Sequence, residues 1–271
     1  MLRSFSFGIV MLLLAISACR NNDSQSARDT NAAETDTTIE ALQENLWQQP
    51  AADSIRERLV FLLIENQQPD AAILHADTLL MHRPENPAYL FMKADALERK
   101  GDTSNAILYF QEAITAAGVF TDASLRLANL YAENGNAKAL TICDDLLQQD
   151  GAQRMRSQIL FVKGIYFVQT KQTAKALALF DQLIREDHVF MDAYIEKGLV
   201  FYDQGKYEEA YKVFTLSTEV SNAFAEGYFW MAKCEMKTGR KKEAIANFKR
   251  SLALDPSIEE ARTALQTLEK P

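Results

Sequence analysis

The sequence predicts an all-α protein built as a solenoid of helix–turn–helix units. The first observation is a period of 34 residues, which is typical of repeats stacked one on the next. The second is the small number of breakers: 10 Gly and 6 Pro in 271 residues favour long helices with short connections. The third is helical spacing of apolar residues: Tyr207, Ala210, Tyr211, Phe214 and Leu216 fall broadly on one stripe.

The first element, residues 1–18, is predicted to be a signal peptide. Arg3 is the one charge in this segment, an apolar core follows, and small residues precede Cys19. The uncharged stretch 4–19 is shorter than the roughly 20 residues that span a bilayer as a helix. A short uncleaved anchor is therefore the weaker alternative.

The end of this segment, Ile16-Ser17-Ala18-Cys19, resembles the lipobox of bacterial lipoproteins. The resemblance implies cleavage before Cys19, a diacylglycerol on its thiol and an acyl chain such as palmitate on the new amine. Two or three acyl chains hold a protein on a membrane, whereas one chain does so only marginally. The alternative is an ordinary signal peptide with an incidental cysteine.

Residues 19–37 are predicted to be a lipidated flexible tether, since their polar composition offers little apolar surface to bury. Residues 38–50 are predicted to form an N-terminal capping helix whose Leu42, Leu46 and Trp47 face the repeats. Residues 259–271 are predicted to form a C-terminal capping helix, with Ile258, Ala261, Leu265 and Leu268 facing inward. Solenoids need such caps because a terminal repeat otherwise exposes its apolar face.

Residues 51–258 carry six copies of the repeat, most clearly where 191–224 is aligned with 225–258. Gly205 then matches Gly239, Ala210 matches Ala244, and Phe214 matches Phe248. The copies are approximately 53–86, 87–120, 121–156, 157–190, 191–224 and 225–258. The third copy is two residues longer than the others, and the extra length falls at 150–156, where we expect a longer connection.

This pattern resembles the tetratricopeptide repeat (TPR), a helix–turn–helix unit of 34 residues. The resemblance implies a right-handed superhelix in which small residues at repeat positions 8 and 20 let two helices approach and an aromatic residue fills position 24. Arg56 and Ser124 depart from the family at position 4, where Trp is usual. Gly101, Gly135, Gly205 and Gly239 fall at position 15, where the first helix of a repeat ends.

No pattern of catalytic or ligand-binding residues accompanies the repeats. A net charge of −8 disfavours nucleic acid as a partner, and no phosphate-binding loop or metal motif is present. We therefore expect no enzyme activity, no cofactor and no metal. His75, His82 and His188 lack partners in sequence that would indicate catalysis, and Cys143 and Cys234 are expected to be buried.

The family resemblance also implies a partner-binding groove lined by first-helix positions 2, 5, 9, 12 and 13. In repeats four to six this groove is predicted to be apolar, and in repeats one to three acidic. The apolar part comprises Phe161, Ile165, Val168, Ile195, Leu199, Tyr202, Phe229 and Met236. The other part comprises Glu57, Phe61, Glu65, Phe91, Asp95, Glu98, Arg99, Asn129 and Glu133. The alternative is that these side chains only pack between first helices.

These features predict a non-catalytic scaffold of the bacterial cell envelope that binds protein partners. We expect a lipid anchor in the outer membrane with the domain in the periplasm; exposure at the cell surface is the alternative. The resemblance is to TPR lipoproteins that serve the assembly of envelope complexes. A second reading is an accessory or ligand-binding component of an outer-membrane transport or polysaccharide-utilisation system.

Overall fold

The structure is a computed structural model that describes residues 38–149 and 151–269. The predicted signal peptide 1–18, the lipid-attachment residue Cys19 and the tether 19–37 lie outside these residues. The described residues form fourteen α-helices and one short 3-10 helix, with no β-strand among them. The all-α prediction is confirmed.

The helices follow one another as antiparallel hairpins with short connections. Each helix from α1 to α5 and from α7 to α14 packs against its neighbour in sequence, as expected for stacked hairpins. The helices are α1 (Ile39–Gln48), α2 (Asp53–Glu65), α3 (Pro69–His82), α4 (Pro87–Lys100), α5 (Thr103–Ala117), α6 (Thr121–Glu133), α7 (Lys138–Leu147), α8 (Arg156–Gln169), α9 (Thr173–Glu186), α10 (Met191–Asp203), α11 (Tyr207–Val220), α12 (Ala225–Lys237), α13 (Lys241–Leu254) and α14 (Glu259–Glu269).

The chain divides into two compact units within α6. Unit 1 comprises the described residues 38–124, and unit 2 comprises the described residues 125–269. The longer connection predicted at 150–156 contains a 3-10 helix, Ala152–Met155, that packs on α7 and α8 inside unit 2.

A phenylalanine ring from the second helix fills the interior of most hairpins. Phe110, Phe180, Phe214 and Phe248 stand at repeat position 24 and are fully buried. The rings lie on the backbone of the first helix: a Cβ added to Gly164 would sit 2.5 Å from Cε1 of Phe180. At Gly198 the same addition would bring a Cβ still closer to Phe214. A methyl group at either position would therefore force the ring to move.

The turn inside each hairpin requires a left-handed residue at repeat position 15. Gly101, Gly135, Gly205 and Gly239 have φ between 64° and 85° there. In the first and fourth repeats the position is held by Gln67 and Lys171, with φ of 57° and 59°. Because left-handed backbone is costly for a residue with a side chain, these two turns are held by the packing on either side of them.

A repeated ion pair joins the second helix of one repeat to the first helix of the next. The Nζ atoms of Lys93 and Lys197 lie 2.6 Å from carboxylate oxygens of Asp77 and Asp181. Lys163 makes the equivalent pair with Asp144 at 2.7 Å. Each aspartate is about half exposed, so each pair contributes at most about 1 kcal/mol. Its main effect is to fix how one hairpin registers against the next.

Arg56, one of the two departures from the family pattern, is buried and hydrogen-bonded. Its guanidinium donates to the carbonyl oxygen of Pro50 at 2.6 Å and meets Nδ1 of His75 at 3.0 Å. Since an arginine can only donate, Nδ1 accepts and the imidazole is neutral. Burial and the adjacent positive charge lower the pKa of His75, which agrees with this state. The pair ties the loop after α1 to the first hairpin.

The end helices differ in one respect from the sequence expectation. Leu42 and Leu46 of α1 are buried, but the prediction for Trp47 is wrong, because its side chain is 80% exposed. Trp47 lies next to Leu46 on the helix, so the two side chains point in directions about 100° apart. Ala261 of α14 is buried, and Leu265, Leu268 and Ile258, which directly precedes the helix, pack partly buried against the last hairpin.

We predict that Gly198→Ala destabilises unit 2. The same change at an ordinary helical position is stabilising by about 1 kcal/mol. Here the methyl group would overlap the buried ring of Phe214, and overpacking of this kind costs about 1–3 kcal/mol. The measurement is the urea midpoint by circular dichroism.

The matched controls separate packing from helix propensity. Ala178→Gly, at an exposed position inside α9, should lower stability by about 1 kcal/mol through propensity alone. Gly198→Ala should cost less stability when it is added to Phe214→Leu than when it is added to the wild-type protein. A higher midpoint for Gly198→Ala alone would contradict the packing account.

Candidate protein-interaction surface

Five of the eight apolar residues predicted to line the groove are buried inside unit 2. The exposed fractions are 3–8% for this set, which comprises Phe161, Ile165, Ile195, Leu199 and Phe229. Such side chains have little surface to offer to a partner. Partner binding itself stays a prediction, but these five residues are not accessible contacts and belong to the core.

The aromatic residues at position 5 are buried because other rings surround them. The ring of Phe161 lies 6.1 Å from that of Phe180 and 5.4 Å from that of Phe190, centroid to centroid. Phe229 lies 5.9 Å from Phe248. The position-5 ring thus completes the hairpin interior beside the position-24 ring, and the last residue of the repeat closes over it.

Position 12 of the first helices remains accessible. Val168 of α8 and Tyr202 of α10 are half-buried, and Met236 of α12 is 40% exposed. The tyrosine ring meets Trp230 edge-on at 5.6 Å. Burial raises the pKa of Tyr202 to about 12, so its hydroxyl keeps its proton. We call Val168, Tyr202 and Met236 the position-12 row.

Two carboxylates at position 2 of the repeat are absent from the predicted groove set. Asp192 and Glu226 are the second residues of α10 and α12, 34 residues apart. Desolvation raises the pKa of both, and the charge of Asp192 adds to the shift of Glu226. Glu226 also accepts a hydrogen bond from the indole nitrogen of Trp230 at 3.3 Å. The positional rule included position 2, so the repeat alignment could have found them.

Two other carboxylates of unit 2 are structural. Glu235 is 1% exposed, and its two oxygens accept hydrogen bonds from the amide of Asn247 at 2.9 and 3.1 Å. Burial raises the pKa of Glu235. Glu196 is 6% exposed. Both lie too deep to contact a partner.

The predicted acidic set of repeats one to three is mixed in its environment. In unit 1, Phe61 is 51% exposed and Glu65 is exposed, whereas Phe91 is packed between Phe110 and Phe120. In unit 2, Asn129 is 6% exposed and donates to Glu133 at 2.9 Å. The buried surroundings raise the pKa of Glu133.

The remaining candidates from the sequence are two histidines and two cysteines. His82 pairs with Asp53 at 2.7 Å, and the carbonyl of His188 accepts a hydrogen bond from the hydroxyl of Tyr194. Cys143 and Cys234 are buried free thiols, and burial raises the pKa of each to about 12. Within the described ranges, no group of three or more His, Cys, Asp or Glu residues could hold a metal ion. None of the described helices is long and apolar enough to cross a bilayer.

A set of stacked helical hairpins with an accessible first-helix row is the architecture of a helical-repeat protein. Family models described as tetratricopeptide repeat match residues 62–119 and 161–220, and a second model of that description matches 225–258. The matches cover more than half of the chain, so the protein belongs to the tetratricopeptide repeat family. Its repeats support a protein-interaction scaffold, and proteins of this family are generally non-catalytic.

Solved structures show the same fold at low sequence identity. A tetratricopeptide repeat protein from Parabacteroides merdae aligns with a TM-score of 0.71 and 16% identity, covering 89% of this chain and 94% of that one. PilW, described as a type IV pilus biogenesis factor, aligns at 0.62 with 17% identity over 79% and 99%. PilF of Pseudomonas aeruginosa aligns at 0.54 with 14% identity over 81% and 99%. No curated protein sequence matched this chain.

We predict that Phe161→Glu disrupts folding, whereas Met236→Glu does not. A carboxylate at the buried position lacks a partner and empties the ring cluster, which should cost at least about 3 kcal/mol. At position 236 the new side chain remains in water, so stability should change by about 0.5 kcal/mol or less. Equal melting temperatures for the two variants by circular dichroism would contradict the burial of Phe161.

Proposed function

We propose that the protein is a lipid-anchored scaffold of the bacterial cell envelope. In this proposal a partner peptide or helix binds along the first helices of unit 2. The observation that carries the proposal is the position-12 row, which keeps apolar side chains accessible on three successive first helices. An apolar row of this kind suits the anchors of an amphipathic helix or an extended peptide.

The carboxylates beside this row add a preference. Asp192 is exposed and Glu226 is half-buried, nearby protein atoms raise the pKa of both, and neither gains a cation in an ion pair among the described residues. A lysine or arginine of a partner would stabilise their charged forms. The preferred partner on unit 2 therefore presents apolar side chains with a cationic group near one end.

The proposed anchor comes from the sequence. Ile16-Ser17-Ala18-Cys19 follows an apolar core at the position expected of a lipobox, and Cys19 is the residue that would carry the lipid. The structure describes no residue before 38, so this part of the proposal is supported by the sequence pattern alone. Attachment at residue 19 would leave the polar segment 20–37 between the membrane and the repeats.

Partner capture is tested with a photo-crosslinking amino acid at Met236 or Tyr202 in living cells. We expect a discrete crosslinked protein from both positions, identified by mass spectrometry. Glu219, exposed on the second helix α11, is the matched control and should give none. Equal yields from Glu219 would contradict binding at the position-12 row. Capture of outer-membrane channel components would favour a transport accessory over an assembly scaffold.

The anchor is tested with Cys19→Ser. The wild-type protein should incorporate radiolabelled palmitate and fractionate with membranes, and the variant should do neither, because the acyl chains have lost their attachment atom. Ser17→Ala, which keeps a small residue, should retain both properties. Absence of label from the wild type would contradict the lipoprotein proposal and leave the interaction proposal untouched.

A further inference from the structure

Unit 1 contains a second accessible apolar site, on a different pair of first helices. A pocket of about 350 Å³ lies against α2 and α4 and is lined by Glu57, Arg58, Phe61, Leu62 and Met92. We call it the Phe61 pocket. Its lining comes from first helices of two successive repeats, and both lie within unit 1. The pocket therefore depends on no contact with unit 2.

The Phe61 side chain is unusual for a repeat interior. At position 9 the equivalent residues of unit 2, Ile165 and Leu199, are 8% and 3% exposed, whereas Phe61 is 51% exposed. Leu62 and Met92 beside it are partly buried against the core of unit 1. The ring thus stands at the edge of an apolar recess and would be covered by an apolar side chain placed there.

Carboxylates lie on both sides of this ring along α2. Glu57 and Glu65 are four residues before and after Phe61, so the three residues share one helix face. Glu57 already accepts a hydrogen bond from the hydroxyl of Tyr89 at 2.6 Å, which holds it beside the pocket. Glu65 is exposed at the other end of the face.

The charge of the chain is concentrated in the same unit. Residues 38–124 contain 13 acidic and 6 basic residues, a formal charge of −7. Residues 125–269 contain 20 acidic and 19 basic residues, a formal charge of −1. The field around unit 1 therefore attracts cations and repels anionic surfaces.

We infer that the Phe61 pocket binds a basic segment of a partner protein through one large apolar side chain, with lysine or arginine residues on either side. The apolar side chain covers Phe61 and contacts Met92, and the flanking cations face Glu57 and Glu65. The inference rests on the proposed function only in taking the partner to be a protein, and it adds the partner's charge and a second point of contact.

The other occupants fit less well. Residues 20–37 contain no large apolar residue and have four acidic against two basic residues, so they can neither fill the pocket nor neutralise unit 1. An anionic lipid surface is repelled by a unit of charge −7. A second copy of the chain would bring the same negative charge to the contact.

The test uses the full mature chain and a fluorescent peptide, Lys-Lys-Ala-Phe-Ala-Lys-Lys, followed by anisotropy. We expect saturable binding at low salt. The affinity should fall about tenfold when the Phe of the peptide is replaced by Ala, and by a similar factor when the original peptide is tested against Phe61→Ser. A peptide with Glu in place of every Lys should not bind. Leu74→Ser on α3, at a side chain that is 68% exposed, is the matched control and should leave the affinity unchanged.

Several outcomes would overturn the inference. The inference is wrong if the Glu peptide binds as tightly as the Lys peptide, or if Phe61→Ser leaves the affinity unchanged. It is also wrong if the affinity falls with added salt but does not depend on the Phe of the peptide. Self-association of the free chain that Phe61→Ser abolishes would assign the pocket to a second copy instead. Crosslinking from Met236 in unit 2 reports on the proposed function independently, so the two failures are distinguishable.

Discussion

The close contact between a phenylalanine ring and a residue without a bulky side chain sets the geometry of this protein. The ring of Phe180 occupies the volume that a Cβ on Gly164 would need, and Phe214 does the same at Gly198. Such a contact is possible only if the two helices of a hairpin lie very close together. The short turn at position 15 is left-handed in all six repeats, and in the fourth and sixth repeats a phenylalanine at position 5 completes the interior beside the position-24 ring.

The close contact between the position-24 ring and the first helix also explains which features of the fold can be predicted from the sequence. The 34-residue period, the glycines at position 15 and the phenylalanines at position 24 are properties of one repeating contact, so they are visible in a single sequence. The burial of Phe161 and Phe229 is not visible in a single sequence, because position 5 lies at the border between the hairpin interior and the groove. Phe161 is covered by Phe190, a residue at the end of its own repeat. The groove prediction assigned these rings to a partner because it had no means of seeing that neighbour.

Local exceptions were harder to anticipate than the pattern. Arg56 departs from the family pattern at repeat position 4. Its hydrogen bonds to Pro50 and His75 replace the packing that an aromatic residue would give there. The hydrophobicity of Trp47 predicts a place on the cap's inner face, but its angle on the helix directs it to solvent. In both cases the residue type alone misleads, and the position relative to a neighbouring element decides. Phe61 is the reverse case, since the positional rule placed it on the groove face and the structure leaves it accessible.

The ion pairs between hairpins have a consequence for how such a chain can lengthen. The pairing needs an aspartate in one second helix and a lysine in the following first helix. Residues 157–190 contain both members, Lys163 and Asp181, so a tandem duplication of this segment would recreate the pair at its new junction. The last repeat has Met231 in place of the lysine, and a copy of it would join its neighbour without that electrostatic match. The fourth repeat is the one copy of the six that holds both members, so it is the segment best suited to growth of the array by gene duplication.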